Sequence, residues 1–181
     1  MRKKMIASTV FAGIVSMSTV ASAAGASVFG DFVYRKSAFV GVPSYINHAA
    51  TLWDSTHVTD VNTGRGNTAL RTNAPLSTFD HGARRIRTNY TGAPVALSSA
   101  KQTALKARIN YFKSYDTEYD GAHNNQKGAF FEPWFEDDYW EFDCVGFNER
   151  IYEDIGFNPT IDEGNNLWPD EQRDSPRLSS F

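Results

Sequence analysis

Residues 46–61 read INHAATLWDSTHVTDV, and this stretch decides the fold. Ile46–Trp53 is a mostly apolar run, Asp54-Ser55 is a short polar pair, and Thr56–Val61 is a second run that combines polar residues with two valines. Two such runs on either side of a tight turn predict a β-hairpin. Its arms would be adjacent strands about 5 Å apart.

The hairpin carries His48 on one arm and His57 or Asp60 on the other. Ala49 and Ala50 leave space beside the His48 ring, and a strand holds it rigidly, as a catalytic base requires. A histidine satisfied within the sheet fits the same position. Across the strands, the Asp60 carboxylate can reach His48. A register slip of one residue would turn Asp60 away and leave His57 to orient the ring.

The flanking segments predict two further strands and a long loop. Val28–Arg35 is the first strand, with Gly30-Asp31 as a break near its start. Arg84–Tyr90 suits a fourth strand, while Ala38–Tyr45 reads as a loop. Asn62–His81 is rich in Gly, Asn, Thr and Pro, and it predicts a long loop with room for one short strand.

Two helices complete the predicted domain. Ser98 or Ser99 caps a helix from about Ala100 to Tyr115. Its apolar stripe comprises Ala104, Leu105, Ile109 and Phe112. Asp143 caps a second helix, which ends near Ile155 before the C-cap Gly156 and Pro159.

The expected fold is therefore α+β, with four to six mostly antiparallel strands. The second helix packs on the sheet so that its first turn meets the His48 strand. We expect this domain to span residues 24–160. The acidic, Pro- and Ser-containing residues 161–181 predict a loosely ordered tail.

Residues 1–23 have the pattern of a secretory signal peptide. Arg2-Lys3-Lys4 precedes an apolar run, and Ala21-Ser22-Ala23 fits the cleavage rule, with Ala24-Gly25-Ala26 as a second site. A retained anchor is the weaker alternative because the run is short and contains Ser and Thr. The expected location is periplasmic or extracellular. The mature chain would keep 15 basic and 21 acidic residues, a net charge of −6, which argues against nucleic acid as a partner.

Cys144 is the only cysteine of this chain of 181 residues. Exported proteins usually keep cysteines as disulfide pairs, so an unpaired one is a candidate reactive thiol. At the first turn of a helix, the helix dipole would favour the thiolate and lower the pKa of the thiol. The alternative is a small buried hydrophobe.

The same residues allow two other interpretations. A zinc site made of His48, His57, Asp60 and Cys144 lacks the spacing of known zinc motifs, so no metal or cofactor is predicted. Seven aromatic residues between 130 and 142 either pack a loop onto the domain, which we favour, or line a substrate groove. They are Phe130, Phe131, Trp134, Phe135, Tyr139, Trp140 and Phe142.

Three motifs resemble those of the papain-like NlpC-type amidases and peptidases. Gly30–Arg35 (GDFVYR) is similar to the opening strand of the family, and Asn47–Leu52 (NHAATL) resembles its histidine strand. Phe142–Phe147 (FDCVGF) is similar to its nucleophile motif, with Val145 where Ser is typical. Asp60 follows His48 by twelve residues, the usual spacing to the third polar residue of the site.

The order of the motifs resembles the circularly permuted branch, because the cysteine follows the histidine strand. That branch includes lecithin-retinol-acyltransferase-like proteins. The tyrosine that often assists the oxyanion site has no counterpart at the family's spacing. The nearest candidates are Tyr115, Tyr119 and Tyr139.

The resemblance implies a papain-like fold and a thiol hydrolase with Cys144 as nucleophile, His48 as base and Asp60 as the orienting residue. The implied substrate is an amide of a cell-wall peptide. A lipid or ester acyl hydrolase or acyltransferase of the same fold is the alternative. A non-catalytic binding module, in which the aromatic loop binds the ligand, is the second alternative.

Overall fold

A computed structural model describes residues 26–36, 46–62, 69–115, 117–119, 126–127, 140–161 and 167–181. The predicted signal peptide lies outside the described residues. So do five of the seven aromatic residues singled out above, which are Phe130, Phe131, Trp134, Phe135 and Tyr139.

The main sheet has six strands, and every neighbouring pair is antiparallel. Its strands are β1 (Phe32–Lys36), β2 (Ile46–Leu52), β3 (His57–Val61), β4 (Leu70–Pro75), β5 (Ala83–Ile86) and β9 (Leu178–Ser179), in the order β4-β3-β2-β1-β5-β9. The predicted hairpin is the β2–β3 pair. The α+β class and the mostly antiparallel sheet are thereby confirmed.

A second, three-stranded sheet consists of β6 (Thr117–Tyr119), β7 (Gln126–Lys127) and β8 (Trp140–Phe142). Strands β6 and β8 are parallel, and β7 pairs antiparallel with β8. Since β8 ends one residue before Asp143, it leads directly into the helix that carries Cys144.

The described helices are α1 (Ser99–Ser114), α2 (Cys144–Glu153) and α3 (Pro169–Arg173). The Ser98 hydroxyl caps α1 and the Asp143 carboxylate caps α2, as predicted. Gly156 follows α2 with φ 85°, a left-handed conformation that suits glycine at a helix end. In α1 the side chains of Leu105, Ile109 and Phe112 are buried, whereas Ala104 is exposed.

The main sheet has two apolar faces, because successive side chains of a strand point in opposite directions. One face packs against α1 and α2 and is called the helix face. Its strand residues include Phe32, Tyr34, Ala49, Val61 and Leu70. The other is called the Phe79 face, and its cluster comprises Val33, Ala50, Leu52, Val58, Ala74 and Phe79.

Strand β1 starts later than predicted. Gly30 has φ 93° and turns the chain, and Asp31 accepts hydrogen bonds from the Val28 amide at 2.7 Å and from Arg85 Nε at 2.6 Å. These contacts hold Val28 in a turn, so the strand begins only at Phe32. The predicted fourth strand likewise stops at Ile86, before a single 3₁₀ turn.

Two segments expected to be irregular contain regular structure. The predicted loop 62–81 contains β4, which lies at one edge of the main sheet. The predicted loose tail contains α3 and β9: Leu178 is buried beside Ile86, and Gln172 is buried completely. The tail prediction is therefore wrong for residues 167–181. The prediction rested on the acidic composition of the segment, which gives no information on long-range contacts such as the pairing of Leu178 with Ile86.

None of the helices within the described ranges is both long and apolar enough to cross a membrane.

Candidate active site

Cys144 opens α2 and meets the His48 strand, as predicted. Oδ1 of the cap Asp143 accepts a hydrogen bond from the Gly146 amide at 2.6 Å, which fixes the first turn of the helix. The thiol is 5% exposed and packs in the helix-face cluster that includes Ala49. The backbone amide of Ala49, the residue after His48, hydrogen-bonds the sulfur.

The Cys144 thiol is protonated at neutral pH. Burial, followed by the nearby Asp143 carboxylate, raises the pKa of the thiol to about 12. The hydrogen bonds from the backbone amides of Ala49 and Cys144 act in the opposite direction and are outweighed. The expected lowering of the thiol pKa at the helix N-terminus is therefore not what this structure shows, because burial is the larger effect.

His48 is buried on β2 and pairs with Asp60. Its Nε2 atom lies 2.8 Å from Oδ2 of Asp60, and the side chains are 5% and 0% exposed. Burial lowers the pKa of His48, and Arg35 and Arg71 add to this effect, while the Asp60 carboxylate opposes it. A neutral ring donates Nε2–H to Asp60 and keeps Nδ1 as the acceptor.

Asp60 is also held by Arg71, a residue that sequence reasoning missed. Arg71 lies opposite Asp60 on β4 and donates from Nε to Oδ1 at 3.0 Å and from Nη2 to Oδ2 at 2.6 Å. Burial disfavours the Asp60 carboxylate, but the hydrogen bonds from His48 and Arg71 outweigh burial, so the pKa of Asp60 is lowered. Arg71 lies on β4, in the loop 62–81 where the sequence allowed one short strand, and its basic side chain was the only feature that could have indicated this role.

The other histidines of the described chain lie elsewhere. His57 pairs with Asp54 through Nδ1 at 3.0 Å in an exposed turn, so it does not orient His48. His81 pairs with the adjacent Asp80. His123 lies outside the described residues. Among the described residues, no three potential metal ligands of the His, Cys, Asp and Glu types gather into a cluster.

The Cys144 thiol and the His48 ring lie on opposite faces of the main sheet. Ala49, which the thiol contacts, belongs to the helix face, whereas the His48 ring lies 5.8 Å from the Phe79 ring on the other face. In the described part of the chain, no hydrogen bond joins the imidazole to the thiol. A bulge precedes the histidine, because Arg35 pairs with His48 but Lys36 pairs with Ile46. Bulges beside functional residues commonly re-aim a side chain.

A buried polar contact fixes α2 against β2, one turn after the thiol. The Thr51 hydroxyl donates to Oδ1 of Asn148 at 2.7 Å, and both residues are fully buried. Nδ2 of Asn148 is buried, and no hydrogen-bond partner for it lies among the described residues. Because Asn148 is four residues after Cys144, this contact sets where the first turn of α2 meets the strand.

The two described residues of the aromatic segment pack on the core, with Phe142 buried and Trp140 partly buried. Trp140 and Phe142 pack edge-on against Phe112 of α1, at centroid distances of 5.2 and 5.1 Å. Of the candidate oxyanion tyrosines, Tyr115 is 46% exposed and Tyr119 lies on β6. Tyr139 lies outside the described residues.

Comparison with models of known protein families, with curated proteins and with solved structures returns no match. The resemblance to the NlpC-type family therefore stays a prediction from three motifs.

Proposed function

We propose that this chain is an exported cysteine hydrolase that cleaves an amide bond. Cys144 is the nucleophile, His48 the base and Asp60 the residue that orients His48. One observation carries the proposal. His48 is buried and paired with Asp60, and the backbone amide of the next residue, Ala49, hydrogen-bonds the Cys144 thiol at the N-terminus of α2. A nucleophile, a base and an orienting carboxylate are the parts of a catalytic triad.

In the proposed reaction, Nδ1 of His48 accepts the proton of Cys144. The sulfur then bonds to the carbonyl carbon, and the electron pair of the C=O double bond moves to the oxygen, which the Cys144 amide stabilises. The C–N bond breaks, and the amine leaves with the proton from His48. Water, deprotonated by His48, cleaves the thioester, and the sulfur recovers its proton.

The role of Asp60 follows from its contact with Nε2. A carboxylate at this nitrogen holds the ring in the tautomer whose Nδ1 can accept a proton, and it stabilises the imidazolium that forms. Arg71 keeps Asp60 ionised. The mechanism requires the imidazole to approach the sulfur in the substrate complex, and catalytic hydrogen bonds often tighten only at that stage.

The proposed substrate is a peptide amide of the bacterial cell wall. This class rests on the family resemblance and on the predicted signal peptide. An acyl lipid or ester, cleaved or transferred by the same residues, is the rival within this fold.

A binding module without catalysis is the second candidate. The raised pKa of Cys144 favours it, as does the separation of the imidazole and the thiol on opposite faces of the main sheet. In that case Cys144 is a small core residue, and the His48–Asp60 pair is a structural contact.

Product analysis separates these candidates. Mature protein, residues 24–181, is incubated with peptidoglycan and with phospholipid vesicles, and released fragments are identified by mass. We expect peptide fragments from wild type and none from Cys144→Ser or His48→Ala. His57→Ala is the matched control, because His57 pairs with a carboxylate away from the site, and this variant should stay active. Fragments from Cys144→Ser at the wild-type rate would remove the thiol from the mechanism.

A further inference from the structure

The Phe79 face carries a chain of charged groups around His48. Arg35 lies opposite His48 on β1, and its guanidinium carbon is 5.2 Å from the centre of the Phe79 ring. On the other side of His48, Asp60 and Arg71 form a two-point ion pair. The His48 ring therefore lies between two arginines that come from different strands.

The charged residues around His48 are Arg35, Arg71 and Asp60, so they carry a net charge of +1. Asp60 is the only carboxylate among the described residues that bonds His48 or Arg71, and Arg71 already occupies both of its oxygens. The nearby Asp80 pairs with His81. No carboxylate of the described residues forms a salt bridge with Arg35.

Arg35 also has an unsatisfied donor. Its Nε atom is buried, and no hydrogen-bond acceptor within the described structure reaches it. The residue as a whole is only half-buried, so part of the side chain stays accessible. A guanidinium edge with a free donor matches the two oxygens of a carboxylate or a phosphate group.

We propose that Arg35 binds an oxyanion of the ligand, a carboxylate or phosphate group, beside His48 on the Phe79 face. The bound oxygens accept from the guanidinium and supply the missing negative charge. The assignment of this group to the substrate rests on the proposed function, but binding of the anion does not. Arg71 is not the anchor, because its Nε and Nη2 already donate to Asp60.

The test is a titration of Cys144→Ser protein, which cannot turn over a thiol-dependent substrate. Sodium acetate and inorganic phosphate are added separately at constant ionic strength, and the side-chain resonances of His48 and His57 are followed by NMR. We expect a saturable shift of His48, and a rise in its pKa, with at least one anion, because a nearby negative charge favours the imidazolium. Saturation by acetate alone identifies a carboxylate, and saturation by phosphate alone a phosphate group.

The variants assign the effect to Arg35. Arg35→Met should weaken anion binding about tenfold or more, and Arg35→Lys should retain part of it because it keeps the charge. Lys113→Met is the matched control, because it removes a positive charge from the exposed side of α1, and it should keep the wild-type affinity for the anion. Circular dichroism checks that each variant is folded, and Arg35→Lys decides the question if Arg35→Met is not.

Two outcomes overturn the proposal. One is a His48 response to both anions no more saturable than that of the exposed His57. The other is an unchanged affinity in folded Arg35 variants. Neither depends on whether cell-wall fragments are released, so this proposal and the proposed hydrolase can fail separately.

Discussion

Nε2 of His48 and Oδ2 of Asp60 lie 2.8 Å apart in the interior of the protein. The pair joins β2 to β3. The chain also contains an exposed counterpart, His57 with Asp54, at 3.0 Å in the turn between the same strands. These two pairs provide an internal comparison for the effect of burial.

Asp60→Asn should lower the pKa of His48 further, because the carboxylate is the group that raises it against burial and two arginines. It should also cost about 1–3 kcal/mol in the free energy of unfolding, since Arg71 loses its charged acceptor. NMR titration of the imidazole and urea unfolding measure the two effects.

Asp54→Asn is the control for this substitution. It removes the carboxylate from an exposed pair, where ion pairs contribute little, so stability should change much less than in Asp60→Asn. If both variants lose the same stability, the buried pair has no special structural role.

The Cys144 thiol should react slowly in the folded protein. A pKa of about 12 against the ordinary value of 9.0 implies a thiolate fraction about a thousandfold lower at pH 8. Alkylation by iodoacetamide should therefore be much faster after unfolding in urea. Because the pKa is raised in the folded state, the thiol's contribution to stability is lost as the pH rises from about 9 towards 12.

A native thiol that reacts as fast as the unfolded one would show that the site opens or that the imidazole reaches the sulfur in solution. That outcome would contradict the buried thiol of this structure and would favour the catalytic proposal over the binding module.

Glu149→Gln should remove part of the pH dependence of stability. Burial raises the pKa of Glu149 to about 7 from 4.5, despite hydrogen bonds from Gln172 at 2.6 Å and Thr160 at 3.1 Å. With the pKa raised in the folded state, the stabilising contribution of Glu149 is complete below about pH 4.5 and is lost as the pH rises through 7. The variant should be more stable than wild type at pH 8 by about 1–3 kcal/mol.

Urea unfolding at pH 5 and pH 8 measures this difference. Glutamine keeps the shape and can accept from Gln172 while donating to the Thr160 hydroxyl. Other titrating groups, including His48, are common to both proteins and cancel in the comparison. Parallel pH profiles for the two proteins would contradict the prediction.

Gly30→Ala should destabilise the protein by about 2–4 kcal/mol. Gly30 has φ 93°, and an added Cβ would lie 2.8 Å from Leu97 Cδ1 and 2.9 Å from the Tyr152 hydroxyl. The Tyr152 hydroxyl also donates a hydrogen bond to the Gly30 carbonyl, so it cannot move freely.

Gly156→Ala is the matched control. Its φ of 85° is equally unfavourable for alanine, but the nearest atom to an added Cβ is the flexible Lys101 Nζ at 3.5 Å. We expect a cost of about 1 kcal/mol from the backbone alone. Equal thermal unfolding midpoints for the two variants would show that the close contacts with Leu97 and Tyr152 add nothing to the cost of Gly30→Ala.

Much of the local structure could be predicted from the sequence. The caps Ser98 and Asp143 marked helix starts within one residue, and the hairpin pattern of residues 46–61 located β2 and β3. The contact of His48 with Asp60 was also predicted. The helix caps depend on residues that are close in the sequence. The contact of His48 with Asp60 depends on the pairing register of one hairpin, which the length of its turn and the pattern of its side chains determine.

The sequence by itself determined the fold class, the helix that carries Cys144 and the pairing of His48 with Asp60. Only the tertiary structure decided three features. Arg71 holds Asp60, β9 joins the main sheet, and the Cys144 thiol and the His48 imidazole lie on opposite faces of that sheet. The physical reason is that burial and long-range register are set when distant segments pack. A thiol pKa of about 12 is one result, since burial at this helix N-terminus outweighs the local dipole.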